Sequence, residues 1–144
     1  MYEAIVIAMY IVDHCFRSGT PISNLRLQKL LYFVQGQSYI KNDDCIINED
    51  FYAWPYGPVI PTVYYKYCGF AGAPIRMAYD LGSIKIAEKD AELIEDTIER
   101  FSPYTDWQLV EFTHEEGAPW FKYKTNRELI PKKDIRDYFI SLKG

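Results

Sequence analysis

Ile22-Ser23-Asn24-Leu25-Arg26-Leu27-Gln28-Lys29-Leu30-Leu31-Tyr32-Phe33-Val34-Gln35-Gly36 reads as one continuous helix. Ser23 can accept a hydrogen bond from an amide of the first turn, and the helical period carries on to about Tyr39. Leu27, Leu30, Leu31 and Val34 recur at helical spacing and make a stripe for a core. Arg26, Lys29 and Gln37 are then expected to face water. On the N-terminal side, Ile5, Ala8, Met9, Val12 and Phe16 repeat in the same way, which predicts a helix over residues 3–17. Ile7 and Ile11 widen its apolar face, which points to a central position. Ser18-Gly19-Thr20-Pro21 ends that helix and connects it to the quoted stretch.

On the C-terminal side, Cys45-Ile46-Ile47 and Phe51-Tyr52-Ala53-Trp54 are short β-prone runs about Asn48-Glu49-Asp50. This is the pattern of an antiparallel hairpin with a three-residue loop. Pro55-Tyr56-Gly57-Pro58 is a turn, and Pro61 can open a short helix to about Tyr67. Gly69 can close it in the left-handed conformation. Residues 83–87 alternate enough for a further strand. Residues 89–101 predict a helix with Ala91, Ile94, Ile98 and Phe101 inward and Glu88, Glu92, Glu95 and Glu99 on the outer face. Thr105-Asp106-Trp107-Gln108 is a capping box that starts a helix running to about His114. After Pro131, the stripe Ile135, Tyr138, Phe139 and Leu142 marks the last helix. The expectation is a mostly helical α+β fold, a single domain over 1–144, with about six helices and a small antiparallel β-hairpin.

Composition narrows the function. The 144 residues are 49% apolar and 25% charged, ordinary for a globular chain, which excludes a disordered tail, a collagen-like repeat or a coiled-coil rod. Sixteen Lys and Arg against 20 Asp and Glu leave a net charge of −4, a poor balance for non-specific binding of nucleic acid or an anionic membrane. The acidic total and the two bases Arg26 and Lys29 argue against a helix-turn-helix DNA reader over residues 4–38. The N-terminal apolar run is broken by Asp13 and His14, too polar for a span or a leader. Cys15, Cys45 and Cys68 show no CxxC spacing and fit reduced thiols in a cytoplasmic protein. Residues 122–143 hold seven basic and three acidic side chains. This basic tail can pair with the acidic helix or present its own charged face.

No catalytic motif stands out. His114-Glu115-Glu116 is half of an HExxH, but position 118 is Ala and the second ligand is missing. His114 is expected to bond backbone at a helix end, and no metal or cofactor is expected. Phosphate-cradling and nucleophile-elbow patterns are absent. The chain is nevertheless rich in aromatics, with 3 Trp, 13 Tyr and 8 Phe. Rigid amphipathic rings suit interfaces because they bring area at small entropic cost. Trp54, Tyr56 and Tyr64, stiffened by Pro55 and Pro58, are the sharpest candidates for such a surface, and Glu88, Glu92, Glu95 and Glu99 are candidates for an acidic one.

Three stretches in order resemble one family. The quoted helix, Phe51-Tyr52-Ala53-Trp54-Pro55-Tyr56-Gly57-Pro58-Val59-Ile60-Pro61-Thr62-Val63-Tyr64, and Leu109-Val110-Glu111-Phe112-Thr113-His114-Glu115-Glu116-Gly117-Ala118-Pro119-Trp120 are similar to motifs of the Panacea domain. That family is also described as SocA-like or GepA-like. The resemblance implies a non-enzymatic antitoxin whose partner is a cognate protein toxin bound directly. Delivery of a client to a ClpXP-type protease and DNA-binding regulation are the alternatives. Gln28, Lys29, Tyr32, Trp54, Tyr56, Gly57, Pro58, His114 and Trp120 match the family pattern, as scaffold or as partner contacts. A hydrolase using His114 with a thiol is the enzymatic alternative.

Overall fold

The computed structural model describes residues 1–143 and follows the chain through seven α-helices and three short strands. These are α1 (Ala4–Arg17), α2 (Asn24–Asn42), β1 (Phe51–Trp54), β2 (Gly57–Val59), α3 (Pro61–Tyr67), α4 (Glu88–Phe101), α5 (Asp106–Thr113), α6 (Pro119–Tyr123), β3 (Leu129–Ile130) and α7 (Lys132–Lys143). The architecture is mostly helical α+β. Among the described residues α6 is the helix that periodicity did not predict; it is five residues long, opened by Pro119 at its first position.

α2 is the axis of the fold. It touches α1, α3, α4, α5, α7 and β2. Fourteen of its 19 residues are buried, on every side of the helix. Lys29 and Gln37, expected in water, are therefore interior. Arg26 is also engaged: its guanidinium donates to the carbonyls of Phe101 and Tyr104 and pairs with Asp106 at 2.9 Å. Of the two bases counted toward a DNA reader, one is thus buried and the other ion-paired. The N-terminus is capped as the sequence predicts, with Ser23 Oγ accepting from Arg26 N at 3.1 Å. Gly36 serves close packing: a β-carbon there would lie 2.3 Å from the Phe139 ring of α7.

The hairpin is displaced from its expected position. β1 pairs antiparallel with β2, not with residues 45–47, in the register Tyr52↔Val59, Ala53↔Pro58 and Trp54↔Gly57. The connection is the two-residue turn Pro55-Tyr56, and Gly57 takes φ of 109°, which favours glycine. β3 lies on the other edge of β1, giving the order β2-β1-β3. Residues 45–47 fail to join the sheet because their amides are already taken. Gln35 Oε1 accepts from Ile46 N at 3.1 Å and Ile47 N at 3.0 Å. Ile47 also bridges Tyr2 in parallel.

Two smaller expectations are corrected. After α3 the residue with positive φ is Ala71, at φ 51°, and Gly69 instead lies within a 3-10 turn over Cys68–Phe70. The segment 83–87 is not a strand; Leu81–Ser83 form a 3-10 turn stabilised by Asp80, whose carboxylate accepts from Gly82 N and whose carbonyl accepts from Ser83 Oγ. The capping box at α5 is present as predicted, with Thr105 Oγ1 and Gln108 exchanging bonds with each other's amides.

Candidate partner-binding groove

A groove of about 430 Å³ opens where the N-terminal end of α2 meets the β1–β2 turn, α3 and α5. Its base is formed by Leu25, Gln28 and Val59, and its rings are Trp54, Tyr56, Tyr64 and Trp107. The volume lies within the range of sites that hold a small ligand or a few residues of a chain. The rings occupy two edge-to-face sets. Trp54 and Tyr64 stand 5.1 Å apart, and Tyr56 and Trp107 stand 5.4 Å apart. Such pairs hold one another's orientation without a ligand. Tyr56 is 58% exposed, Trp107 57%, and Tyr65, which packs against both Trp54 and Tyr64, 63%. Three large rings left in water beside one concave surface differ from singly scattered apolar residues.

The floor is fixed by hydrogen bonds that span the elements. Gln28 Oε1 accepts from Ile60 N at 3.0 Å and its amide donates to Asn24 Oδ1 at 3.0 Å. Asn24 donates in turn to the Tyr64 carbonyl at 3.0 Å. This relay ties α2 to the end of β2 and to α3, so the rings of the turn and of α3 are set by one polar chain. Gln28 thus bonds backbone across elements.

A buried layer supports the turn. Lys29 is fully buried, and its ammonium donates to the Pro58 carbonyl at 2.8 Å. Burial pulls its pKa down to about 7, because desolvation disfavours the charged form. A β-carbon at Gly57 would lie 2.7 Å from Lys29 Cε and 2.6 Å from Thr113 Oγ1, so glycine is required here for space as well as for φ. Trp120 Nε1 donates to the Trp54 carbonyl at 2.6 Å and its ring stacks on His114 with centroids 3.6 Å apart. His114 caps α5 through its backbone amide, but its side chain stacks on Trp120 rather than bonding backbone, and Nε2 is buried without a partner. Its pKa is lowered by burial first, then by the charges of Lys29 and Lys124. Tyr32 is interior, edge-on to Phe33, Phe51 and Phe139.

The motif residues therefore divide. Gln28, Trp54 and Tyr56 line the groove, as does Tyr64. Lys29, Gly57, Pro58, His114 and Trp120 lie behind its wall, and Tyr32 is in the core. The glutamates are on α4, away from these lining residues. Glu88, Glu92 and Glu99 are exposed, whereas Glu95 is half-buried and accepts from the Tyr10 hydroxyl. The basic tail does not pair with them; Lys132 joins Asp50, and Arg136 joins Asp43 and Asp137. Sequence reasoning missed Trp107 and Arg127. Trp107 carried a signal: a large ring two residues after a helix-capping threonine, outside the Leu109 and Val110 stripe, has no helical stripe to join.

Among the described residues no thiol hydrogen-bonds to His114. Cys15 is buried, with its pKa pushed up to about 11 by desolvation. Cys45 donates to the Ile47 carbonyl and Cys68 to the Tyr65 carbonyl. Among the described residues no group of three or more His, Cys, Asp or Glu is placed to hold a metal ion. None of the described helices is long and apolar enough to cross a membrane.

Comparison with known proteins agrees with the motif reading. The family model described as Antitoxin SocA-like, Panacea domain, matches residues 27–121. Antitoxin SocA of Caulobacter vibrioides (strain NA1000 / CB15N) is 33% identical over 130 residues, which cover 82% of this chain and 68% of that protein. No solved structure matches the chain.

Proposed function

The chain belongs to the SocA-like Panacea domain family, and from that premise we propose that it is an antitoxin that neutralises a cognate protein toxin by direct binding. It acts in the cytoplasm and performs no chemistry of its own. The observation that carries this reading is the aromatic groove: Tyr56, on a turn stiffened by two prolines, and Trp107, in the first turn of α5, are exposed and held edge-to-face. Interfaces concentrate their energy in rigid rings of this kind. Trp54, Tyr56 and Tyr64 are the contacts proposed at the groove, and Gln28, Lys29, Gly57, Pro58, His114 and Trp120 hold them in place. Tyr32 holds the core beneath. Glu88, Glu92 and Glu99 add an acidic face that would steer a basic toxin surface.

The test is co-expression with the protein encoded beside this chain. Growth arrest by the neighbour alone, relief when both are induced, and recovery of a stable complex are expected. Relief without a complex, or no relief, overturns direct neutralisation. A second reading has its own support, since the acidic face of α4 shares no residue with the groove lining and leaves a surface for a second partner. In that reading the chain is an adaptor that presents the bound toxin to a ClpXP-type protease. Toxin turnover that accelerates only with both this chain and the protease present would favour it, and unchanged turnover would remove it.

A further inference from the structure

We propose that the aromatic groove takes an extended, proline-bearing segment of the partner whose acidic side chain pairs with Arg127. The inference rests on the antitoxin reading for the identity of the partner. Its chemistry comes from the groove.

Arg127 is the charged side chain among the groove-lining residues. Its guanidinium lies over the Trp54 ring, 5.7 Å from the centroid. It takes part in none of the ion pairs among the described residues. On a chain of net charge −4, the groove thus has a local positive charge with its partner position open. An Arg held over an aromatic face is well oriented for a carboxylate. Asp106, the residue before Trp107 in α5, is already committed to Arg26 and to the Ser23 hydroxyl.

The backbone of the groove selects how a segment can bind. β2 is an edge of the sheet, which would ordinarily invite an added strand. That route is blocked at its centre: Pro58 has no N–H, and its carbonyl is taken by Lys29 Nζ. The polar side chains of the floor, Gln28 and Asn24, are satisfied by Ile60 N, Asn24 Oδ1 and the Tyr64 carbonyl. What remains to recognise a ligand is ring surface and one cation. Aromatic-lined grooves take polyproline II segments through their rings, without a hydrogen-bonded ladder, and read orientation from a flanking charge. The two ring sets provide the ridges, and Arg127 supplies the charge.

The test uses the full chain and blocked, amidated decapeptides with a polyproline core. One set carries Asp or Glu on either flank and the other Lys at the same positions. Fluorescence of Trp54 and Trp107 reports binding. The acidic set is expected to bind at least tenfold more tightly than the basic set. Arg127→Glu should reverse that order, and Trp107→Ala should weaken the acidic set about tenfold. Both positions are exposed, so unchanged thermal unfolding is expected to accompany each loss. Equal binding of the two sets, or binding of neither, overturns the proposal. The toxin itself separates the two levels of inference. A toxin bound and neutralised equally well by Arg127→Glu overturns the groove assignment and leaves the antitoxin reading standing. A chain that selects the acidic peptides but neutralises no toxin supports the groove and overturns the antitoxin reading.

Discussion

Lys29 donates its ammonium to the carbonyl oxygen of Pro58 at 2.8 Å from a position with no exposed surface. One hydrogen bond does not offset the desolvation of a full charge, and burial holds the folded-state pKa at about 7. An unfolded lysine titrates near ~10.4. Between those values the unfolded chain binds more protons, so stability rises with pH. Below pH 7 the cost of the buried charge is fully present. His114 adds to the trend at lower pH, since its lowered pKa makes stability rise as pH approaches 6.5. Tyr10, held at about 12 by burial and then by Glu95, reverses the trend above about pH 10.

Thermal unfolding should therefore show a midpoint that climbs from pH 6 to pH 9. Lys29→Met should raise the midpoint at pH 7 and remove most of the climb between pH 7 and 9. A flat wild-type profile over that range would contradict the account.

Gly36→Ala should destabilise by about 3 kcal/mol, at the upper end of overpacking costs. The added methyl meets the Phe139 ring, which is itself held edge-on to Tyr32 and Phe33. Urea unfolding measures it, and Phe139→Leu in the same chain should recover part of the loss. A neutral Gly36→Ala would show that α7 can shift away from α2.

Cys68 lines the groove and is exposed, whereas Cys15 is buried with a raised pKa. Thiol labelling under native conditions should modify Cys68 first and leave Cys15 unreacted until the chain unfolds. A bulky maleimide at Cys68 should lower toxin affinity at least tenfold, and bound toxin should protect the thiol. Full affinity in the labelled protein would place the toxin elsewhere.

Reversing Glu88, Glu92 and Glu99 to Lys should slow association with a basic toxin several-fold and remove its salt dependence, with a smaller change in dissociation. Glu95→Gln belongs to a different class because its carboxylate holds the Tyr10 hydroxyl. It should lower the thermal midpoint and leave association unchanged. Stopped-flow association rates at two ionic strengths test the first part.

Local signals in the sequence located the six longer helices and β1, but not the pairing of the hairpin. The hydroxyls of Ser23 and Thr105 fixed the starts of α2 and α5, and Pro61 fixed that of α3. Long-range partners were not legible. Lys29 and Gln37 read as solvent-facing because a leucine stripe accounts for one side of a helix, and nothing local says that the other sides are covered too. Residues 45–47 have the composition of a strand, but Gln35, on α2, takes the amides of Ile46 and Ile47. The aromatic half of the groove was visible in the turn around Trp54 and Tyr56. The opposing half was not, because Trp107 and Arg127 come from segments joined to the turn only by folding.

The enclosure of α2 also determines where this protein can change its specificity. A helix packed on all sides has no tolerant face, so substitution along it alters stability before it alters recognition. The turn at Pro55-Tyr56, the outward side of α5 around Trp107 and the outer face of α4 are each attached to that helix but are not part of its packing. Libraries that vary those three segments and keep α2 intact should retain folding in most members while sampling new partners. Libraries spread evenly over the chain would lose most members to unfolding.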